Sequence, residues 1–315
     1  MNQDQDNELR KTQKPVLVIA GPTASGKTAT ALLLCQRLNG EIVSADSMQI
    51  YRGMDIGTAK ATRQEQNLIE HHLLDIREPG EHYSVAQYKK DATMAIQDIF
   101  LRGRQPVLCG GTGQYLSAMI EGISFFPQPP DYSLRARLVE RSERLGIEQV
   151  LAELAAVDPE SAAKLAPGDR KRIIRALEVY YQTGMTISQQ NQLSKQKGPD
   201  FSFRIFGLSH DREILYERIN QRVGQMIDAG LIDEVRQLLA MGLDPASTCL
   251  QAIGYKEVLP YLVGEKSLEV VADNIRRASR RYAKRQMTWL KKIIGIHWLN
   301  NHSPEENTNI ILNNI

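Results

Sequence analysis

The stretch Val16-Leu17-Val18-Ile19-Ala20-Gly21-Pro22-Thr23-Ala24-Ser25-Gly26-Lys27-Thr28 decides the fold. Its first five residues are an apolar run of strand length, and an amphipathic helical pattern runs from Lys27 to about Leu38. Between them stands G-x-x-x-x-G-K-[ST], in the strand-then-helix context the motif requires. Its glycines let backbone N–H groups turn inward on phosphate oxygens. Lys27 adds a point charge, and the Thr28 hydroxyl can hold Mg²⁺. Such a loop grips a diphosphate, without saying whether that diphosphate belongs to ATP.

Working outward, Glu41–Ser44 reads as a second short strand and Leu73–Ile76 as a third. Ser84 and Gln87 have capping-box spacing, with Val85, Tyr88, Ile96 and Ile99 following at helical intervals. Pro106–Cys109 is a further buried strand ending in glycines. Strands alternating with helices predict a parallel sheet covered on both faces, with ligands at the strands' carboxyl ends. Pro127, Pro129 and Pro130 then interrupt the pattern, and the next seventy or so residues read as helices. A strand returns at Phe201–Leu208. The expected architecture is α/β: a P-loop NTPase-like parallel sheet core over residues 15–126 and 201–299, with a helical insertion at 127–200. The core ends in a helical, basic C-terminal part. The polar segments 1–14 and 300–315 read as flexible tails.

Composition narrows the class. The 315 residues are 42% apolar and 24% charged, values of a folded globular chain. No run approaches the roughly 18 apolar residues of a membrane-spanning helix, and the amino terminus resembles neither a secretory signal nor a transit peptide. Cys35, Cys109 and Cys249 are isolated, which argues against a disulfide framework or a zinc half-site and favours a reducing cytoplasmic setting. The net charge of +2 hides an asymmetry: residues 274–292 hold eight basic side chains and no acidic one, which predicts a polyanionic partner.

Asp46 follows the second strand, and Gly110-Gly111-Thr112-Gly113-Gln114-Tyr115 follows the strand ending at Cys109. Three strand ends then converge on one cleft, carrying a diphosphate grip, a carboxylate and a hydroxyl. Arg218 and Arg222, four apart on the helix after the 201–208 strand, read equally as phosphate-lid arginines or as surface charge. His71 and His72 are adjacent, so their side chains point to different sides and do not simply clamp one ion. Met226, Ile227, Leu231, Ile232, Val235 and Leu238 form a helical apolar pattern and read as core.

In this order, GPTASGKT, SADSMQIYRGMDIGTAK, HHLLDI, GGTGQY, DRKRIIRALEV, QAIGYKE and RRYAKRQMTWLKK closely resemble the bacterial tRNA dimethylallyltransferases (isopentenyl-tRNA transferases). The resemblance runs from about Pro15 to about Trp298. Adenylate isopentenyltransferases share the P-loop and the aspartate and are the nearest alternative. The carboxy-terminal zinc finger of many eukaryotic relatives is absent here.

The resemblance implies prenyl transfer from dimethylallyl diphosphate to N6 of adenosine 37 in tRNA; Mg²⁺ at the Thr28 of the loop and a monomeric chain are expected beside it. It assigns Asp46 as base or N6-orienting acceptor, Lys27 to the departing diphosphate, and Thr112 beside the reacting base. It places tRNA contacts on Asp46, Ser47, Met48 and Gln49, on Arg135, and on Lys171, Arg172, Ile173, Ile174 and Arg175. Further contacts fall on Gln251, Ala252, Ile253, Gly254, Tyr255 and Lys256. The basic block, including Arg277, Arg281 and Lys284, would meet phosphates, which position RNA without reading it. A small-molecule P-loop kinase leaves that block and the inserted helices unexplained. An RNA-binding NTPase leaves Asp46 and Thr112 without a role.

Overall fold

The computed structural model describes residues 14–123, 125, 131–194 and 198–315. The three interrupting prolines and residues 1–13 lie outside them. One compact unit takes the chain through Ile120 together with Asp200–Ile315, and the other is Glu121–Pro199.

In the larger unit, β1 (Val16–Ala20) leads through the glycine loop into α1 (Lys27–Leu38) and β2 (Gly40–Ala45). α2 (Arg63–Leu68), β3 (His71–His72), α3 (Val85–Leu101), β4 (Gln105–Gly110) and α4 (Gly113–Ile120) follow. The smaller unit contributes α5 (Tyr132–Leu145), α6 (Ile147–Val157), α7 (Pro159–Ala162), α8 (Arg170–Thr183) and α9 (Ile187–Ser194). The chain then forms β5 (Phe203–Ser209), α10 (Arg212–Asp228), α11 (Leu231–Ala240) and α12 (Tyr255–Leu262). It ends in α13 (Leu268–Leu290), β6 (Ile296–Asn300) and α14 (Pro304–Leu312).

The six strands run in the order β3-β2-β4-β1-β5-β6, and every pairing is parallel. Strands buried on both faces need apolar residues at successive positions, and β1 is buried throughout. On one face Tyr88, Ile96, Leu116 and Leu290 close the core; on the other Leu34, Cys35 and Ile311 do so. A third cluster joins Ile50, Tyr51 and Met54 to Val223, Leu231, Val235 and Leu238, with Met226, Ile227 and Ile232 packed against it. The apolar pattern of residues 226–238 is therefore core. The smaller unit has its own core of Leu138, Val150, Leu154, Ile173 and Leu177.

Three expectations change. The third strand is His71–His72 rather than 73–76, because Leu73 and Asp75 take left-handed backbone angles (φ 65° and 54°) that a strand does not tolerate. Residues 300–315 are not a loose tail, and the C-terminal part is not wholly helical. β6 pairs with β5, and α14 opens on a Ser303 capping box and buries Ile311, Asn307 and Thr308. The Asn-rich composition concealed this short helix, whose buried amide Asn307 meets Thr30 of α1.

Candidate active site

Register builds the site. Ala20 pairs with Gly110, and Gly110 with Ala45, so the last residues of β1, β4 and β2 lie side by side. The segments beginning at Gly21, Asp46 and Gly111 therefore leave the sheet from one rim. Thr112 N–H donates to the Ala45 carbonyl (3.2 Å), and Ser47 N–H donates to Thr112 Oγ1 (3.1 Å). Asp46 Oδ1 accepts from Met48 N–H at 2.9 Å, which fixes the carboxylate in a turn and leaves Oδ2 for a further partner.

The glycine loop is shaped for an anion. Gly26 (φ 87°) and Ala24 (φ 63°) are left-handed, a conformation costly for alanine and often held at functional sites. α1 has no side-chain cap and no acid in its first turn, whereas α3 is closed by Ser84 and Gln87. The first N–H groups of α1 are thus without a capping side chain, as an anion site requires. Lys27 Nζ donates to the Pro22 carbonyl at 2.7 Å. Burial pushes its pKa down to about 8, with the Arg222 charge lowering it and Cys109 and Asp46 opposing.

Arg222 and Arg218 separate here. Burial lowers the Arg222 pKa and the Asp46 charge opposes that shift; its own charge also lowers the Lys27 pKa, so it stands within electrostatic reach of both. Arg218 Nη1 lies 2.9 Å from His210 Nε2 and 4.0 Å from where a Cβ on Gly26 would stand, so it sits beside the loop and is held by His210. The donor set suits a hard cation. Thr28 lies in the first turn of α1, the buried Ser25 Oγ has no hydrogen-bond partner among the described residues, and Asp46 supplies carboxylate oxygen.

Three side chains missed by sequence reasoning come from α13. Gln286, 6% exposed, accepts from Thr23 N–H (2.9 Å) through Oε1 and donates from Nε2 to the Gly111 carbonyl (2.9 Å). Tyr282 lies close to Thr112 and Gln286; burial, reinforced by the Asp46 charge, pushes its hydroxyl up to about 12. Trp289 covers Gly113, where a Cβ would come within 2.4 Å of the indole. The signal was present as uncharged residues recurring through a basic motif, but the charge run dominated its reading.

Other expected contact residues are placed differently. Gln49 is occupied: its Oε1 accepts from Ser44, and its Nε2 faces the Thr58 and Ala59 carbonyls. Tyr255 is fully buried, with its hydroxyl on Glu234 at 2.6 Å, so it supports the fold and does not present itself to RNA. Ile173 and Ile174 are likewise inside the smaller unit's core, because the basic motif is amphipathic and its apolar face turns inward. Met48, Ala252 and Ile253 pack against the third core cluster. Gly254 is the left-handed residue (φ 98°) that starts α12.

The basic positions divide similarly. Arg135 and Arg175 both pair with the fully buried Glu178, and Arg172 pairs with Asp169. Lys171 is exposed. Gln251 donates to the Pro245 carbonyl, and Lys256 lies 3.9 Å from Glu257. On α13, Arg276 pairs with Asp273, and Arg280 stacks on Tyr216. Arg277, Arg281 and Lys284 are exposed and enter no ion pair among the described residues. His72 Nε2 lies 2.6 Å from Glu41; Glu41, Glu70 and His72 lie close enough to share an ion, while Arg102 and Arg104 also bond the Glu41 carboxylate.

The IPP transferase family model matches residues 49–293. The chain is 44% identical over 298 residues to the tRNA dimethylallyltransferase of Acetivibrio thermocellus, covering 95% of both chains. It is 45% identical over 287 residues to that of Pelotomaculum thermopropionicum, covering 91% of both. The solved full-length tRNA isopentenylpyrophosphate transferase of Bacillus halodurans superposes with a TM-score of 0.70 at 40% identity, covering 96% of each chain. A eukaryotic dimethylallyltransferase acting on tRNA gives a TM-score of 0.78 at 29% identity, covering 96% of this chain and 80% of the other.

Proposed function

From the premise that the chain belongs to the IPP transferase family, we propose that it transfers the dimethylallyl group of dimethylallyl diphosphate to N6 of adenosine 37 in tRNA, releasing diphosphate. The observation that carries this reading is the common rim of Ala20, Ala45 and Gly110, which aligns an anion grip, a carboxylate and a hydroxyl.

The N6 lone pair is delocalised into the purine ring, so the amine is a poor nucleophile and gains from a positioned acceptor. Oδ2 of Asp46 is that acceptor, since Oδ1 is held by Met48. As N6 bonds to C1, the C1–O bond breaks, its electron pair leaves on the diphosphate, and the N6 proton passes to Asp46. Allylic C1 tolerates developing positive charge, so the barrier falls mainly by stabilising the departing anion. Lys27, Arg222 and the uncapped amides of α1 do this without reorganising. Mg²⁺ held at Thr28 supplies further neutralisation of the diphosphate when bound.

The acceptor base is normally stacked in the anticodon loop, so it is extruded into the pocket before reaction. Thr112, whose Oγ1 accepts from Ser47 N–H, meets it. Arg277, Arg281 and Lys284 take phosphates, as does Lys171 in the helical unit. The protein works in the cytoplasm as a monomer.

Labelled dimethylallyl diphosphate with bulk tRNA, with AMP, and ATP alone test the reading together. Label on tRNA without ATP consumption is expected. Label on AMP alone favours an adenylate transferase, and ATP-dependent phosphorylation or hydrolysis without label transfer overturns the proposal.

A further inference from the structure

The two halves of the site sit on separate loops, and one side chain ties them together. Gln286 uses both ends of its amide: Oε1 takes Thr23 N–H from the diphosphate loop, and Nε2 gives to the Gly111 carbonyl beside Thr112, each at 2.9 Å. Gly111 has no room for a side chain there, since a Cβ would lie 2.3 Å from Gln286 Nε2. Tyr282 stands one turn before, close to Thr112, and Trp289 one turn after, against Gly113. Arg277, Arg281 and Lys284 project from the exposed side of the same helix. A buried amide bonded to two loops transmits a displacement of either one, because each lost bond would leave a buried polar group unsatisfied.

We propose that Gln286 is a positioning residue that sets the distance between the diphosphate grip and the acceptor-base turn, and so links α13 to the alignment of the two substrates. It touches neither reacting atom. Its effect is geometric: binding the two substrates separately does not need the spacing, whereas in-line attack does. This inference rests on the transferase reading above.

Gln286→Met keeps length and burial while removing both hydrogen bonds. Expected is a fall in kcat of about 10–100-fold, the scale of small misalignments in near-attack geometry. The Kd values for tRNA and for inorganic diphosphate, measured separately, should move less than about threefold. Gln286→Glu separates alignment from mere packing. Ionised, the new carboxylate repels the Gly111 carbonyl; protonated, it can donate to that carbonyl and accept from Thr23. Its kcat should therefore rise relative to wild type as pH falls, and burial raises the pH at which this begins. Gln286→Met should show no such recovery. Amide hydrogen exchange over 21–28, a readout needing no turnover, should accelerate in Gln286→Met.

Wild-type kcat and wild-type exchange in Gln286→Met overturn the proposal. So does a loss of kcat matched by proportional losses of both affinities and of melting temperature, with no pH recovery in Gln286→Glu. If wild-type protein moves no label to tRNA while exchange still accelerates in Gln286→Met, the transferase reading fails and the link between the loops stands.

Discussion

β2 carries a carboxylate near each end, and the two are treated in opposite ways. At the amino end Glu41 is fully buried and closed in: Arg102 donates to both of its oxygens, while Arg104 and His72 lie within hydrogen-bond distance. Burial alone would raise the Glu41 pKa, yet bonds from Arg102 and His72 and their charges hold it at about 2. Just beyond the carboxyl end, Asp46 has one oxygen tied to a backbone N–H, with Lys27 and Arg222 close enough to feel its charge. A closed cluster has spent its hydrogen-bonding capacity on itself and stabilises the fold. An open one keeps capacity for a substrate, at the strand ends where parallel sheets bind ligands.

Breaking the open end should cost the most. Lys27→Ala should lower label transfer by about 10³-fold or more, because the leaving group loses its nearest cation in a desolvated loop. Single-turnover assays at saturating substrates check this, and transfer within tenfold of wild type would remove Lys27 from the chemistry. Asp46→Asn should lower turnover by about 10²–10⁴ while tRNA affinity stays within a small factor, since shape is retained and the proton acceptor is lost. A pre-steady-state rate paired with a filter-binding Kd separates the two effects.

The same end should respond to pH. With a Lys27 pKa near 8, the loop loses its charge as pH rises through that value, so kcat/KM for the prenyl donor should fall about tenfold per unit above it. Lys27→Arg should move the break out of the accessible range. A wild-type profile flat to pH 10 would mean that the ammonium is not what grips the diphosphate.

The α13 stripe is a milder case of open charge. Replacing Arg277, Arg281 and Lys284 together by Gln should lower the log–log salt slope of tRNA binding by about 2–3, with kcat nearly unchanged. An unaltered slope in folded protein would move the phosphate-binding surface elsewhere. Equal weakening for cognate and non-cognate tRNA is expected, because phosphate contacts carry no direct base information.

Breaking the closed end should leave transfer per folded molecule untouched. Glu41→Gln should instead cost about 2–3 kcal/mol of stability, somewhat less than the roughly 3–5 kcal/mol of opening a fully buried pair, because Arg102 and Arg104 retain some solvent. The sign follows from the depressed pKa. The stabilisation is full above about 4.5 and is lost as pH falls toward about 2, so the wild-type and variant urea midpoints should converge on acidification. Reduced turnover with undiminished stability would erase the contrast between the two ends.

The local order of residues determined the parallel sheet, the glycine loop and the rim bearing Asp46 and Thr112. Each depends on short-range features: apolar runs, turn glycines, and a cation spaced from them. The Ser84 capping box likewise predicted the start of α3 at Val85, because a cap is completed within four residues. What depends on distant neighbours was not legible. The Leu73 and Asp75 backbone kept the third strand out of 73–76, whose composition favoured it, and an Asn-rich segment became a helix once α1 offered a surface. Ile173, Ile174 and Tyr255 stand inside basic or polar motifs, yet packing turned them into core. Arg218 and Arg222 are equivalent by spacing, and only tertiary surroundings set one against His210 and buried the other within reach of the Asp46 charge. Gln286 shows the reason most clearly: its partners Thr23 and Gly111 are 263 and 175 residues away, and no pattern along the chain encodes a bond whose ends meet only after the sheet has closed.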